Sequence, residues 1–302
     1  MLKTEINGVV FENPVITASG TFGFGHEYAQ LIDVAKIGGI CSKGLTLNPK
    51  YGNEGQRLCE TPAGLINSIG LQNPGIEAFI KTELPKMQQL GPIPIANLGG
   101  GCEEDYLTGA AMLDKTDVPI IELNISCPNV KAGGMAFGIK AESARDIVSK
   151  VRKMTTKPLW VKLSPNCENI VEVALACQQA GADALSLVNT FQAMAIDIKS
   201  GKPVFNNIFA GLSGPAIMPI ALRMVYQVCA AVQIPVIGIG GIATWQDALQ
   251  FIMAGAHAVQ VGAAPFANPN AAVQIVDGLR QYCEQLNIEN IQQIRSIAQN
   301  NR

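Results

Sequence analysis

Histidine is almost missing from this chain: His26 and His257 are the only two in 302 residues, so imidazole-based catalysis has few candidates. Charge is scarce as well. Charged residues make up 15% and the net charge is −2, which argues against a nucleic-acid or anionic-membrane surface as the main partner. No uninterrupted apolar run approaches the roughly 18 residues of a membrane span, and the first eight residues lack the apolar core of a signal peptide. The eight cysteines, at 41, 59, 102, 127, 167, 177, 229 and 283, include no Cys-x-x-Cys pair. A reduced cytoplasmic protein is therefore expected, with no metal site, zinc or iron–sulfur, of its own. No Gly-x-Gly-x-x-Gly turn joins a strand to a helix, so a dinucleotide fingerprint is missing too.

What is present is apolar and periodic. Apolar residues reach 48%, enough for a substantial core. Residues 2–13 read as a small hairpin, with Asn7-Gly8 supplying the positive φ angles of a tight turn. Short apolar strands then alternate with helical stretches. The strands are expected at Val15–Ala18, Gly39–Lys43, Ile93–Leu98, Ile120–Ser126, Leu159–Leu163, Ala184–Val188, Val236–Gly238 and Ala258–Val261. Helical patterns include Ile76–Leu90, Ala141–Met154, Asn169–Ala180, Ala216–Val232 and Trp245–Ala254. Gly181 and Gly255 stand where a helix should stop. Eight βα units without a linker-like shift point to one α/β domain over 1–302, a (β/α)8 TIM barrel carrying a short N-terminal β-hairpin. An open doubly wound sheet is the alternative on pattern alone.

The stretch Glu122-Leu-Asn-Ile-Ser-Cys-Pro-Asn129 organises the rest. Side chains alternate along a strand, so Leu123 and Ile125 share one face while Glu122, Asn124 and Ser126 share the other. Pro128 ends the strand. Cys127 thus lies at a C-terminal strand end, where parallel barrels place their chemistry. Val130–Gly138 follows with three glycines and reads as a lid. Taken alone, however, such a cysteine is more often a buried small hydrophobe than a catalyst.

Other strand ends carry matching signals. Strands seven and eight finish at Gly240-Gly241 and Gly262-Ala263, where backbone can approach an anion closely, so a phosphorylated cofactor or substrate is favoured. Thr244 and Asp247 have capping-box spacing at the helix that follows. Lys162, on strand five, points inward and needs an anionic partner. It could form a Schiff base, counter a cofactor's charge, or pair with Glu122, itself assigned to structure. Lys43 poses the same question on strand two. Four asparagines, Asn67, Asn97, Asn124 and Asn189, converge on the barrel mouth and suit a ligand with amide edges, such as a pyrimidine dione.

These residues resemble a known family. Asn124-Ile-Ser-Cys-Pro-Asn-Val-Lys-Ala-Gly-Gly-Met-Ala-Phe-Gly138 is similar to the active-site segment of class 1 dihydroorotate dehydrogenases, in particular the NAD-linked class 1B catalytic subunit. Ala18–Gly25, Asn67–Gly75, Val161–Asn166, Val188–Thr190 and Gly211–Pro215 match as well, and the likeness covers nearly the whole chain. It implies an FMN-binding barrel, one FMN per chain, that oxidises dihydroorotate to orotate in pyrimidine (UMP) biosynthesis. In that role Cys127 takes the C5 proton and FMN the C6 hydride. Lys43 would face both flavin and substrate carboxylate. Asn67, Asn124, Asn189 and Thr190 would read the pyrimidine, with Ser68, Ile69, Gly70 and Leu71 closing round it. Lys162 would sit by the flavin N1/O2 edge. Ser19, Gly44, Asn97, Asn124, Val188 and Gly214 would contact the flavin, and Gly240, Gly241, Gly262 and Ala263 its phosphate. Two positions depart from the family pattern: Ala263 and Leu45 stand where threonines are common.

The resemblance also implies a homodimer within a heterotetramer, whose second subunit carries FAD and a [2Fe–2S] cluster and passes electrons to NAD. The alternatives are a class 1A-like enzyme that reduces fumarate, another FMN-barrel pyrimidine oxidoreductase such as a tRNA-uridine reductase, a Schiff-base lyase using Lys162, and a non-catalytic binding subunit. The Val-Lys-x-Gly-Gly segment after Asn129 leans against class 1A, and the acidic chain against RNA.

Overall fold

The structure, a computed structural model, describes residues 1–126 and 137–301. Its centre is a closed barrel of eight strands: β1 Val15–Thr17, β2 Gly39–Cys41, β3 Ile93–Leu98, β4 Ile120–Asn124, β5 Leu159–Lys162, β6 Ala184–Leu187, β7 Val236–Ile239 and β8 Ala258–Val261. Every neighbouring pair is parallel, and β8 closes on β1. Parallel neighbours need crossovers, and helices supply them on the outside. Strand residues are buried on both faces with few exceptions, as that packing demands. The strands expected from sequence coincide with these to within one or two residues. The largest differences, of two residues, are at β2, which stops at Cys41, and β4, which stops at Asn124. Lys43 lies beyond β2, its N–H bonded to the Gly23 carbonyl at 3.1 Å.

Alternation splits the apolar residues into two cores. Outward side chains such as Ala96, Ile121, Leu123, Val161 and Val259 pack under the helices. Inward ones, Ile16, Cys41, Ile95, Ile120, Trp160, Ala184, Ile237 and Ala258, fill the barrel floor. The hairpin, Thr4–Ile6 with Val9–Phe11, closes that floor from below with Ile6 and Phe11. Its turn has the expected left-handed pair, Asn7 (φ 53°) and Gly8 (φ 79°). Asn7 Oδ1 accepts the Trp160 indole N–H at 3.0 Å, tying turn to barrel.

Three features depart from the expected elements. The run read as one helix over Ile76–Leu90 is α-helical at Ile76–Ala78, π-helical at Phe79–Glu83 and α-helical again at Leu84–Gln88. Pro85 lacks the N–H that would close an α-turn onto residue 81, so the wider turn takes over there. Helices Glu103–Asp114 and Ala271–Gln285 join those expected. Finally, strands form outside the eight expected ones. Leu58–Thr61, Gly64–Asn67, Phe209–Ser213 and Phe191–Met194 form an antiparallel sheet beside the barrel mouth.

Candidate active site

Two residues up five of the strands from the floor, the inward side chain turns polar. Ile95 gives way to Asn97, Ile120 to Glu122, Trp160 to Lys162, Ala184 to Ser186 and Ala258 to Gln260. Asn97, Glu122, Ser186 and Gln260 are wholly buried. Glu122 is the hub. Its Oε1 accepts from Asn97 Nδ2 at 2.6 Å and Cys41 Sγ at 3.3 Å, and its Oε2 from Gln260 Nε2 at 2.7 Å. Burial first, and the Glu122 carboxylate second, push the Cys41 thiol well above its usual range, so it stays a donor. Lys162 Nζ stands 3.9 Å from Glu122 Oε1 and donates to Ser19 Oγ at 3.1 Å. Lys162 and Glu122 are thus neighbours in one network, the proximity that one of the three readings of Lys162 required.

A second chain of bonds runs across the mouth. Asn124 Oδ1 accepts from Ser126 Oγ at 2.6 Å, and Ser126 Oγ accepts from Asn189 Nδ2. Asn189 Oδ1 then accepts the Thr190 N–H at 2.8 Å. Asn67 Nδ2 donates to the Gly211 carbonyl at 3.2 Å. Gly211 pairs with Gln192, just past Thr190, so the outer sheet carries Asn67 to the strand-six residues. Of the four asparagines, Asn124 and Asn189 share this chain, Asn67 joins through the sheet, and Asn97 belongs to the Glu122 layer.

The loop after Asn67 is held from both sides. Asn53 Nδ2 donates to Ser68 Oγ at 3.0 Å, its backbone N–H bonds the Ile69 carbonyl at 2.9 Å, and Asn207 Nδ2 reaches Ser68 Oγ at 3.2 Å. Asn73 donates to the Leu71 carbonyl at 2.7 Å. Leu71, in left-handed backbone (φ 54°), packs against Gly44, where a Cβ would come 2.9 Å from Leu71 Cδ2 and 3.1 Å from Asn97 Oδ1. Lys43 is half-buried, and its ammonium has no ion-pair partner among the described residues.

The glycine strand ends lie opposite. Gly240 (φ 132°) and Gly241 (φ 72°) take backbone that side chains resist. A Cβ on Gly240 would meet Val188 Cγ2 at 3.5 Å, and one on Gly241 the Gly214 carbonyl at 2.7 Å. Val188, Gly214, Gly240 and Gly241 are therefore one cluster. Gly262 faces Ala18, next to Ser19, and Ala263 starts the short helix Ala264–Ala267. The Thr244–Asp247 capping box is present. Cys127 and the lid segment through Ala136 lie outside the described residues.

Sequence reading missed Cys41, Ser186, Gln260 and Asn53. The first three were within reach, since the alternation that points Lys162 inward also points Ser186 and Gln260 inward. Asn53 carried no signal, because its contact with Ser68 depends on how the outer sheet folds back.

The fold and this mouth define a class: a (β/α)8 barrel that gathers a buried polar layer, asparagines and glycine-rich strand ends at the C-terminal ends of its strands. A family model described as dihydroorotate dehydrogenase matches residues 1–283. The dihydroorotate dehydrogenase B (NAD(+)), catalytic subunit, of Petrotoga mobilis is 56% identical over 299 residues, covering 98% of this chain and 100% of that protein. The proteins of the same name from Geotalea uraniireducens and Thermoanaerobacter pseudethanolicus are 53% and 52% identical, each over 97% of this chain and 96% and 97% of their own. The chain belongs to the dihydroorotate dehydrogenase family.

Proposed function

We propose that this enzyme oxidises dihydroorotate to orotate in pyrimidine biosynthesis with FMN bound at the barrel mouth. The observation that carries the reading is the ring of unmet polar groups there. Lys162 has three N–H donors and a hydrogen-bond partner, Ser19, for one of them. Asn97 Oδ1, Gln260 Oε1 and Ser186 Oγ are buried without partners among the described residues, a state that costs free energy unless a ligand supplies them. Gly240 and Gly241 hold a strand end in backbone that side chains resist, and such backbone lets main-chain N–H groups come close to a phosphate. A flavin mononucleotide has the matching parts: a ring with amide-like edges, an N1/O2 edge that gains negative charge on reduction, and one phosphate.

FMN would supply the hydride acceptor for C6 of the substrate. In our reading Ser19, Gly44, Asn97, Asn124, Lys162, Val188 and Gly214 hold its ring system, and Gly240, Gly241, Gly262 and Ala263 its phosphate. At Ala263 the backbone N–H remains available without the hydroxyl common in the family. Lys43 holds the substrate carboxylate, and its lack of an acid partner supports that role. Asn67, Asn124, Asn189 and Thr190 meet the pyrimidine edge, and the pinned Ser68–Leu71 loop keeps water from it. Cys127 removes the C5 proton.

The relatives' name, dihydroorotate dehydrogenase B (NAD(+)), catalytic subunit, supports a second subunit. We place FAD and a [2Fe–2S] cluster on it, with this chain as a homodimer in a heterotetramer. Exposed Ile196, Ile198 and Phe209 on the outer sheet region offer apolar surface for such contacts. Among the described residues no helix is long and apolar enough to cross a membrane, in keeping with a cytoplasmic enzyme.

The test is an absorption spectrum of the purified chain before and after anaerobic dihydroorotate. Flavin bands that bleach are expected; a colourless chain would sink the proposal. Cys127→Ala should retain FMN and reduce it roughly two to four orders of magnitude more slowly. Reduction at the wild-type rate would put the base elsewhere. NAD reduction should require the partner, and efficient fumarate reduction by the chain alone would move it to class 1A.

A further inference from the structure

Glu122 is the one wholly buried glutamate among the described residues, and no step above uses it. Both amides against it are half satisfied. Asn97 and Gln260 turn their NH2 groups to the carboxylate, while Asn97 Oδ1 and Gln260 Oε1 have no partner among the described residues. An ionised carboxylate only accepts, so it dictates which edge of each amide faces it and which is left for something else. Asn97 Oδ1 accordingly lies beside Gly44. Lys162 Nζ is within ion-pair range of Glu122, at 3.9 Å, yet outside hydrogen-bonding distance. Beyond the one bonded to Ser19, its donors stay open to a ligand while its charge is partly offset.

We propose that Glu122 is a positioning residue for the flavin site, an inference that rests on the FMN reading above. Its carboxylate turns the carbonyl edges of Asn97 and Gln260 away from itself and offsets the Lys162 ammonium, and so sets how readily the bound flavin is reduced. Reduction brings negative charge to the cofactor, which a nearby cation favours and a nearby anion opposes. Removing the Glu122 charge leaves Lys162 unopposed.

The experiment equilibrates FMN-loaded enzyme with a reference dye for wild type, Glu122→Gln, Lys162→Met and the double variant. At the wild-type midpoint, Glu122→Gln should raise the ratio of reduced to oxidised flavin at least tenfold, about 30 mV for a two-electron couple. Lys162→Met should move it the other way. The double variant should differ from the sum of the two shifts, as expected for residues in contact. A merely structural role would lower FMN content or thermal stability without moving the potential in that direction. Flavin retained with a ratio within about twofold of wild type, or shifted toward oxidised, would overturn the inference. Should Glu122→Gln not fold, the reduced-minus-oxidised infrared spectrum of wild type labelled with 13C-carboxyl glutamate decides instead. Label-sensitive carboxylate bands support the proposal and their absence overturns it. A wild-type chain without flavin bands is a different failure, that of the FMN reading itself.

Discussion

The floor and the mouth of this barrel are built from the same strands, two residues apart, and do opposite things. At the floor, Ile95, Ile120, Trp160 and Ile237 bury apolar surface against Ile6 and Phe11 of the hairpin. Each such side chain, fully buried, contributes about 1.5–3 kcal/mol. At the mouth, Asn97, Glu122 and Lys162 stand two residues above the first three of these and Gln260 two above Ala258, and buried charges of this kind roughly break even at best. The fold is therefore held from below and from the outer helices, and the polar layer is carried by them. A period of two lets one strand serve both ends. Stability and ligand chemistry can then change separately.

Trp160→Ala tests that separation most severely. Trp160 is among the largest fully buried side chains; it packs near Phe11, ring centroids 6.1 Å apart, and its indole N–H anchors Asn7. Removing it should cost about 3–5 kcal/mol, read as a lower urea midpoint. Flavin reduction per bound FMN should stay within about twofold, because only interactions that change in the transition state alter the rate. A collapse of that rate in folded protein would show that floor and mouth are coupled.

The two ends also differed in how legible they were. Floor and strands are local: β-branched runs such as Val236-Ile-Gly-Ile239 announce themselves, and β3 and β8 fall at the residues expected. The mouth was legible where a residue sits on a strand, as with Asn97, Asn124 and Lys162. It was not where long-range pairing decides. Leu58–Asn67 forms a hairpin, yet Phe209–Ser213 completes its sheet from more than 140 residues away, as the Leu65–Ser213 pair shows. No window of sequence contains that contact. Lys43 read as strand because Ile40-Cys41-Ser42 is apolar and β-forming, whereas the ladder ends at Cys41. The roles of Asn53 and Asn207 likewise exist only once the sheet has folded over Ser68.

His257 sharpens the comparison from the floor side. It precedes β8, and its Nδ1 accepts the Val236 N–H at 3.3 Å, at the start of β7. Burial first, with the Arg295 charge second, lowers its pKa from 6.5 to about 4. Between those values the unfolded chain binds a proton that the folded chain refuses. Stability contributed by neutral His257 is thus fully present above about pH 6.5 and is lost as pH falls toward about 4, with no further change below. The upper bound is about 3 kcal/mol. Urea unfolding across that window should show a shallower acid decline for His257→Asn than for wild type. Parallel declines would mean that His257 titrates alike in both states.

The smallest effect belongs to the mouth side, and it asks whether a residue there can be purely structural. Thr244 follows the Gly240-Gly241 turn and caps the helix Trp245–Met253: its Oγ1 accepts the Asp247 N–H at 3.2 Å, while Asp247 Oδ2 accepts the N–H groups of Thr244 at 2.9 Å and Ala243 at 3.0 Å. Thr244→Ala removes one of these three bonds, the hydroxyl's, and should cost about 1 kcal/mol. Asp247 still holds Ala243 and Thr244, so the glycines keep their backbone. Their φ angles are set upstream, where Gly241 presses on Gly214 and Met218. FMN affinity, measured by fluorescence quenching on titration into apoprotein, should therefore stay within about twofold, well under the tenfold that 1.4 kcal/mol would give. A tenfold loss of affinity with the same small loss of stability would mean that the cap shapes the phosphate seat. The division between holding the fold and holding the ligand would then fail at this turn.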